Sequence, residues 1–113
     1  MEKIDVVTAL AALAQDNRLD VYRLLVQAGS EGLSAGDVAE KLKLAPNTLS
    51  FHFDRLRNAA LVTVRRDGRS LIYAARFETM NDLLGYLTDN CCGGEDCGPA
   101  ACAPKRKRAK ARA

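Results

Sequence analysis

The stretch PNTLSFHFDRLRNAALVTVRRDGRSLIYA, residues 46–74, changes its hydrophobic period halfway along. In the first half, apolar residues recur at intervals of four, three and four, which places them on one face of a helix. A proline stands where the first turn of that helix would be. In the second half, two β-branched runs flank Asp67-Gly68, a pair typical of a tight hairpin turn. The stretch therefore predicts a helix followed directly by a β-hairpin. The apolar face of the helix comprises Leu49, Phe53, Leu56 and Ala60.

Helical periodicity on either side of this stretch predicts four more helices. Asp16 is expected to cap the second helix and Ser34 the third, because short side-chain oxygens accept hydrogen bonds from the free amides of a first turn. The third and fourth helices follow each other closely and form a helix-turn-helix, with the hairpin as its wing. The sequence thus predicts a winged helix-turn-helix, mostly α with a β-hairpin wing. The predicted helices cover 3–14, 17–29, 35–44, 46–60 and 77–90.

The first and last helices are predicted to be amphipathic. Each carries apolar residues at helical spacing, which indicates a face that packs against another part of the protein. An ordinary monomer core and a dimer interface would both fit such a face. The apolar residues are Ile4, Val7, Leu10, Ala11 and Ala14 in the first helix, and Met80, Leu83, Leu84 and Leu87 in the last.

Charge and composition divide the chain of 113 residues into three parts. The tail 105–113 holds six of the 17 basic residues and no acidic residue, whereas residues 1–104 carry 11 basic and 14 acidic residues. A mildly acidic body argues against nucleic-acid binding over the whole surface and favours a local basic patch. We predict a DNA-binding and dimerisation domain over 1–90, a cysteine-rich segment over 91–102 and a basic, disordered tail over 103–113.

Several protein classes are disfavoured by the sequence. It contains no apolar run long enough to cross a membrane and no secretory leader, so we expect a soluble cytoplasmic protein that does not bind membranes. It also lacks paired carboxylates in a cleft motif, a nucleophile beside a base, and a glycine-rich phosphate loop. Neither an enzyme nor an organic cofactor is therefore expected.

The outward side of the fourth helix is the predicted DNA-reading surface. Short polar residues in the N-terminal half of such a helix suit base edges in the major groove, and Arg55 is long enough to reach a phosphate or a guanine. Phe51 would contact a thymine methyl or, alternatively, pack against the second helix. His52 would donate to a phosphate or be an ordinary hydrogen-bonding residue. A merely solvated polar face is the alternative for the whole set. The predicted DNA contacts are Asn47, Thr48, Ser50, Phe51, His52 and Arg55.

The predicted wing carries Arg65, Arg66 and Arg69 around its turn, with Asp67 as the one acidic residue there. Arginines at a hairpin tip suit phosphate contact or insertion into a minor groove. The alternative is a solvated strand edge protected by charge. Because the hairpin follows the helix-turn-helix directly, we predict that these arginines contact DNA.

Residues 3–88 closely resemble the ArsR/SmtB family of bacterial metal-responsive winged-helix repressors. The resemblance rests on DNRLDVYRLL in the second helix, LSFHFDRLRNAALV across the fourth with its pair Ser50-x-His52, and VRRDGRSLIYA in the hairpin. It implies a homodimer, formed chiefly by the first and last helices. Such a dimer binds a palindromic operator in double-stranded DNA and leaves it when a metal or metalloid binds.

Two sensing sites of the family are missing from this sequence. The third helix, where arsenite or cadmium sensors carry Cys-x-Cys, reads LSAGDV, and the last helix, FETMNDLLGYL, has no histidine for a zinc site. A branch of the family that responds to trivalent arsenic ends its last helix in an adjacent cysteine pair, with another cysteine several residues on. The stretch NCCGGEDC, residues 90–97, is similar to that branch.

All four cysteines lie within residues 91–102. Soft thiolates match As(III) and Sb(III), which take three ligands in a pyramid. We predict arsenite or antimonite as the inducer, bound by Cys91, Cys92 and Cys97, with Cys102 as a further candidate ligand. Two alternatives stay open: a cadmium, lead or zinc site, and a redox switch in which one of the adjacent cysteines forms a disulfide with Cys97.

Overall fold

The computed structural model describes residues 1–89 and Gly93, in which five α-helices combine with a small antiparallel sheet. The third and fourth helices are joined by a short connection, and a hairpin follows the fourth, which confirms the predicted winged helix-turn-helix. None of the helices in this part of the chain is both long and apolar enough to span a membrane. The elements are α1 (Lys3–Leu13), α2 (Asp16–Ala28), a 3₁₀ turn (Gly29–Glu31), β1 (Leu33–Ser34), α3 (Ala35–Leu42), α4 (Pro46–Asn58), β2 (Val62–Asp67), β3 (Ser70–Ala75) and α5 (Phe77–Leu87).

Capping side chains set the helix starts, and one of them differs from the prediction. Ser34 caps α3 as expected, since its hydroxyl accepts a hydrogen bond of 3.1 Å from the amide of Asp37. The prediction that Asp16 caps α2 is wrong, because Asp16 is already the first residue of that helix. The cap is Gln15, whose side-chain oxygen accepts from the amide of Arg18 at 2.9 Å.

Helix α4 ends two residues before the predicted end, in a hydrogen-bonded C-terminal motif. The amide of Leu61 donates to the carbonyl of Leu56 at 3.0 Å, and the amide of Ala60 donates to the carbonyl of Arg57 at 2.9 Å. This pattern requires a left-handed residue, and Ala60 takes that role with a φ of 60°. Ala60 is therefore exposed, so its assignment to the apolar face is wrong, and the fully buried Leu61 continues the core.

Helix α4 and the wing share one core. Leu49, Phe53 and Leu56 of α4 are each at most 2% exposed, as their spacing predicts. The ring of Phe53 stacks on Tyr73 of β3, with 3.6 Å between centroids and 2° between ring planes. Strand β3 is the central strand of the sheet and pairs with both β1 and β2. The orientation of the wing relative to α4 is thereby fixed by buried contacts.

Helix α1 packs against its own chain with the side opposite to the apolar stripe identified in the sequence. Val6, Ala9 and Ala12 lie in the core, whereas Ile4 is 74% exposed. The sequence left a monomer core and a dimer interface open for that stripe, because α1 is apolar around most of its circumference and the spacing does not reveal which side packs against its own chain. All five predicted stripe residues are exposed: Ile4, Val7, Leu10, Ala11 and Ala14.

Helix α5 divides its apolar residues between the core and the surface. Leu83 is buried and Met80 packs against the core, but Leu84 is 48% exposed and Leu87 is 53% exposed. Helix α5 contacts α1. We call the large exposed apolar side chains of these two helices the α1/α5 face: Ile4, Val7, Leu10, Phe77, Leu84, Tyr86 and Leu87.

Gly32 allows β1 to approach β3. Its φ of +74° lies in the left-handed region, and a Cβ there would overlap the carbonyl oxygen of Tyr73. We expect Gly32→Ala to lower the free energy of unfolding by about 2 kcal/mol or more, because backbone strain and a backbone clash add. Gly36→Ala is the matched control: its Cβ meets nothing within 4 Å in α3. The control should raise stability by about 0.5–1 kcal/mol. Urea unfolding measures both, and equal stability of the two variants would contradict this packing.

Candidate nucleic-acid interface

Five of the six side chains predicted to contact DNA from α4 lie on its exposed side. The opposite side of the helix is buried against the rest of the chain, so these five can reach a groove without any change in the core. Three of them are short polar side chains near the start of the helix, and the other two are longer side chains that follow further along it. The five are Asn47, Thr48, Ser50, Phe51 and Arg55.

Asn47, at the start of α4, accepts a local hydrogen bond. The N-cap residue Ala45 has no side chain that could accept from the first-turn amides. The Oδ1 atom of Asn47 accepts from the amide of Thr48 at 2.9 Å instead. This bond orients the Asn47 side chain and uses its oxygen. Its amide group is left as a donor, which suits acceptor atoms such as N7 of a purine.

Phe51 and Arg55 form a pair one turn apart. The guanidinium carbon of Arg55 lies 5.0 Å from the centroid of the Phe51 ring, within cation–π range. Phe51 remains 52% exposed, so packing against α2 does not cover it. The stack orients Arg55, which can donate to a guanine or a phosphate. The rest of the ring is open to an apolar contact such as a thymine methyl.

The structure corrects the prediction for His52, which is only 5% exposed. Helical spacing places it on the flank of the apolar face, and that flank is covered by α2. Its Nδ1 atom lies 3.5 Å from Nη1 of Arg18, a partner that sequence periodicity does not reveal because it is 34 positions away. Burial and, after it, the charge of Arg18 lower the pKa of His52. A buried imidazole does not donate to a DNA phosphate, so His52 is removed from the contact set.

The three wing arginines are all exposed, but they are not equivalent. Arg66 and Arg69 flank the turn, in which Gly68 takes a φ of 64°. The Nη2 atom of Arg65 donates a hydrogen bond of 3.0 Å to the carbonyl of Glu31. This bond ties the wing to the segment before β1. Arg66 and Arg69 are therefore the better candidates for phosphate contact.

The cationic groups of this surface have no carboxylate partners within residues 1–89 and Gly93. The ion pairs there join Arg57 to Asp54 at 3.9 Å and Arg76 to Glu78 at 3.5 Å, and all four side chains are largely exposed. Neither pair involves Arg55 or a wing arginine. The charge of those arginines is thus available to phosphates.

The predicted metalloid ligands Cys91, Cys92, Cys97 and Cys102 lie outside the described residues. The part of the chain that is described holds no group of three or more His, Cys, Asp or Glu side chains that could bind a metal ion. The cysteine segment therefore stays a prediction from the sequence.

Known proteins resemble this chain in sequence and in fold. A helix-turn-helix domain family matches residues 13–65. The uncharacterized HTH-type transcriptional regulator YceK of Bacillus subtilis is 39% identical over 77 residues, covering 67% of this chain and 76% of that protein. The structure of HlyU from Vibrio cholerae is 32% identical with a TM-score of 0.62, and the match covers 77% of this chain and 97% of that chain.

A more distant neighbour shares the fold. It is the homodimeric winged helix-turn-helix DNA-binding domain of a possible ArsR-family transcriptional regulator from Mycobacterium bovis. Its TM-score is 0.62 at 20% identity, and the match covers 84% of this chain and 88% of that chain.

The fold and the relatives define a winged-helix transcriptional regulator. The chain belongs to the helix-turn-helix transcriptional regulators.

Arg66→Ala and Arg69→Ala should each weaken DNA binding and flatten its salt dependence. Each lost phosphate contact removes about one unit from the slope of log affinity against log salt concentration. Arg23→Ala is the control, because it removes the same charge from an exposed position of α2 and should leave the slope unchanged. The probe is a duplex that the wild-type chain selects from a random-sequence pool, and we call it the selected duplex. Fluorescence anisotropy of this duplex measures the slope. Unchanged slopes in both wing variants would mean that the arginines only protect a strand edge.

Proposed function

We propose that this protein is a homodimeric repressor that binds a palindromic operator and is released when trivalent arsenic or antimony binds the thiolates of Cys91, Cys92 and Cys97. The observation that carries the DNA-binding part is the exposed polar side of α4, held beside the wing arginines by one buried core. The inducer part is supported by thiol chemistry and by the position of the cysteines directly after α5.

The α1/α5 face supports the dimer. Ile4, Val7 and Leu87 are each more than half exposed in the single chain, and burying apolar surface contributes about 25 cal/mol per Å². Large exposed apolar patches on soluble proteins mark sites of association. A second copy of the chain is the proposed occupant, because a two-fold dimer presents one recognition helix to each half of a palindrome.

The cysteine segment suits a soft ion with three ligands. Adjacent Cys91 and Cys92 supply two sulfurs, and Gly93 takes a φ of 67°, a left-handed conformation that favours a turn of the chain. Cys97 would supply the third sulfur. Zinc prefers a tetrahedron of four ligands, for which Cys102 would have to join. Thiolates of this kind require a reducing compartment, which agrees with the expected cytoplasmic location.

Helix α5 provides a physical connection between the thiols and DNA. It ends at Leu87, four residues before Cys91, and its exposed side chains belong to the proposed dimer interface. Drawing the cysteines together around one ion would move the end of α5 in that interface and change the separation of the two recognition helices. A roughly 100-fold loss of operator affinity corresponds to about 2.7 kcal/mol of coupling between the two sites.

Val7→Glu and Leu84→Glu should each convert the dimer into a monomer, because the interface would then bury an unpaired carboxylate. Leu71→Glu is the matched control. Leu71 is 42% exposed but lies in β3, outside the α1/α5 face, so this variant should stay dimeric. Sedimentation equilibrium measures the mass of all three variants. A wild-type chain that sediments as a monomer at micromolar concentration would contradict the dimer.

Cys91→Ser, Cys92→Ser and Cys97→Ser should each give a protein that still binds the selected duplex but no longer releases it with arsenite. A serine hydroxyl is close in size to a thiol but is a poor ligand for a soft centre, so coordination fails while folding is spared. Cys102→Ser should still respond, because three sulfurs complete the pyramid. Anisotropy of the selected duplex during titration with arsenite and antimonite reports release.

Parallel titrations with zinc, cadmium and lead, and with a thiol oxidant, distinguish the alternatives. Release by zinc or cadmium that requires Cys102 would favour a four-thiolate site over the arsenic site. Release by the oxidant, reversed by a reductant, would favour a disulfide switch. Normal arsenite response in all four single variants would remove the cysteine segment from the mechanism.

A further inference from the structure

The recognition helix carries a buried imidazole that DNA binding does not use. His52 is 5% exposed, and its Nε2 atom is buried without a hydrogen-bond partner among residues 1–89 and Gly93. A buried polar atom left without a partner costs about 1–3 kcal/mol. The other ring nitrogen, Nδ1, lies 3.5 Å from Nη1 of Arg18. Because a guanidinium only donates, Nδ1 is the acceptor and the single proton of the neutral ring resides on Nε2.

Arg18 links three helices at this point. Its Nε atom donates a hydrogen bond of 2.7 Å to the carbonyl of Ala12 in α1, and its backbone amide donates to Gln15 at the start of α2. Its Nη1 atom contacts His52 in α4. The guanidinium is therefore held by the end of α1 while it contacts the inward side of the recognition helix. This junction is therefore one of the contacts that hold α4 against α1 and α2, beside the buried core.

Arg18 is the charge that acts on His52. Burial and this guanidinium account for the lowered pKa of His52. Helix α1 faces α4 across a cleft of about 480 Å³ with Val7, Thr8 and two alanines, none of which is ionisable. Arg55 of α4 lines the same cleft as Arg18, but it is exposed like the other charged residues of α4. Apart from Arg18, the charged residues of α2, which are Asp16, Asp20 and Arg23, are exposed, and α2 also holds the buried Tyr22, whose pKa is raised by burial. The charged residues of the other elements packed on α4 are exposed as well. In α3 and β2 these exposed residues are Asp37, Glu40, Lys41, Arg65, Arg66 and Asp67.

We propose that His52 is a positioning residue that makes operator binding sensitive to protons. The neutral ring accepts from Arg18 and fixes α4 for DNA, whereas the protonated ring repels Arg18 and frees α4 from this junction. The inference rests on the proposed function, since it concerns regulation of the same DNA-binding surface.

Protonation at Nδ1 acts on the junction in two ways. It removes the acceptor that Arg18 uses, and it places an imidazolium beside a guanidinium in a buried position. Arg18 borders the cleft between α1 and α4, so its side chain has room to turn away from His52. Phe51 precedes His52 in the helix, with 6.0 Å between the ring centroids, so a shift of the imidazole also moves the exposed DNA-facing side.

The direction of the effect follows from proton linkage. The pKa of His52 is lower in the folded chain than in the unfolded chain, so the unfolded chain binds more protons in acid. The stability contributed by the neutral ring is complete above the unfolded value of about 6.5 and is lost as the pH falls from there toward the folded pKa. Operator affinity falls below the folded pKa, where the folded chain itself is protonated.

The test is the pH profile of operator affinity for the full chain with the selected duplex, at constant ionic strength, from about pH 8 to about pH 5. The wild-type affinity should be constant at the upper end and fall by up to about a hundredfold per pH unit below the pKa of His52, a factor of about ten for each of the two His52 rings in the dimer. His52→Gln stays neutral and keeps an oxygen acceptor for Arg18, so it should bind like the wild type at the upper end and show a flat profile. His52 is the only histidine, so its imidazole resonances in NMR spectra give its pKa directly.

Overlapping profiles of the wild type and His52→Gln would overturn the inference and leave the proposed function intact. Absence of duplex binding at every pH would overturn the proposed function itself and, with it, the inference. If His52→Gln does not fold, the wild-type amide resonances of α4 decide: they should titrate with the same pKa as the imidazole. Amide resonances that do not follow the imidazole would overturn the proposal.

Discussion

The stacking of Phe53 on Tyr73 is the contact on which the DNA-binding surface depends. It joins the inward side of α4 to the central strand of the sheet, with 3.6 Å between the ring centroids. Removing a buried phenylalanine side chain typically costs about 3–5 kcal/mol, a large part of the stability of a small domain. Once this contact is made, the side of α4 that faces away from the core and the turn of the wing have fixed positions. The positions of the exposed polar residues of α4 and of the wing arginines are set in this way.

The recognition helix and the wing could be predicted from the sequence because each has its own hydrophobic period. The spacing of Leu49, Phe53 and Leu56 identified the buried side of α4, and the Asp67-Gly68 pair located the turn of the wing. The placement of His52 failed because it lies at the edge of the apolar face, where an angle per residue does not reveal which neighbouring helix covers it. The bond from Arg65 to Glu31 was also missed, since it joins residues 34 positions apart.

Helix α1 shows a different limit of sequence patterns. Its apolar residues surround most of the helix, so more than one side could pack against a partner. The spacing of Ile4 and Val7 identifies an apolar side of the helix, but its own chain does not cover that side. The core of a single chain takes Val6, Ala9 and Ala12 instead. In the proposed dimer, the residues left outside are covered by a second copy. In the proposed repressor the dimer therefore uses the side of α1 that folding leaves exposed, and the cysteine segment acts on the same interface through α5.

The most direct test of this account is a comparison of amide NMR spectra of the full chain, free and bound to the selected duplex. We expect one dimer to bind each duplex. In that complex the largest amide chemical-shift changes should fall on the exposed side of α4 and on the turn between β2 and β3. The buried residues of α4 should keep their free-state hydrogen-exchange protection, because the core that fixes this surface does not change. Shifts confined to the basic tail 105–113, with α4 and the wing unaffected, would contradict the account.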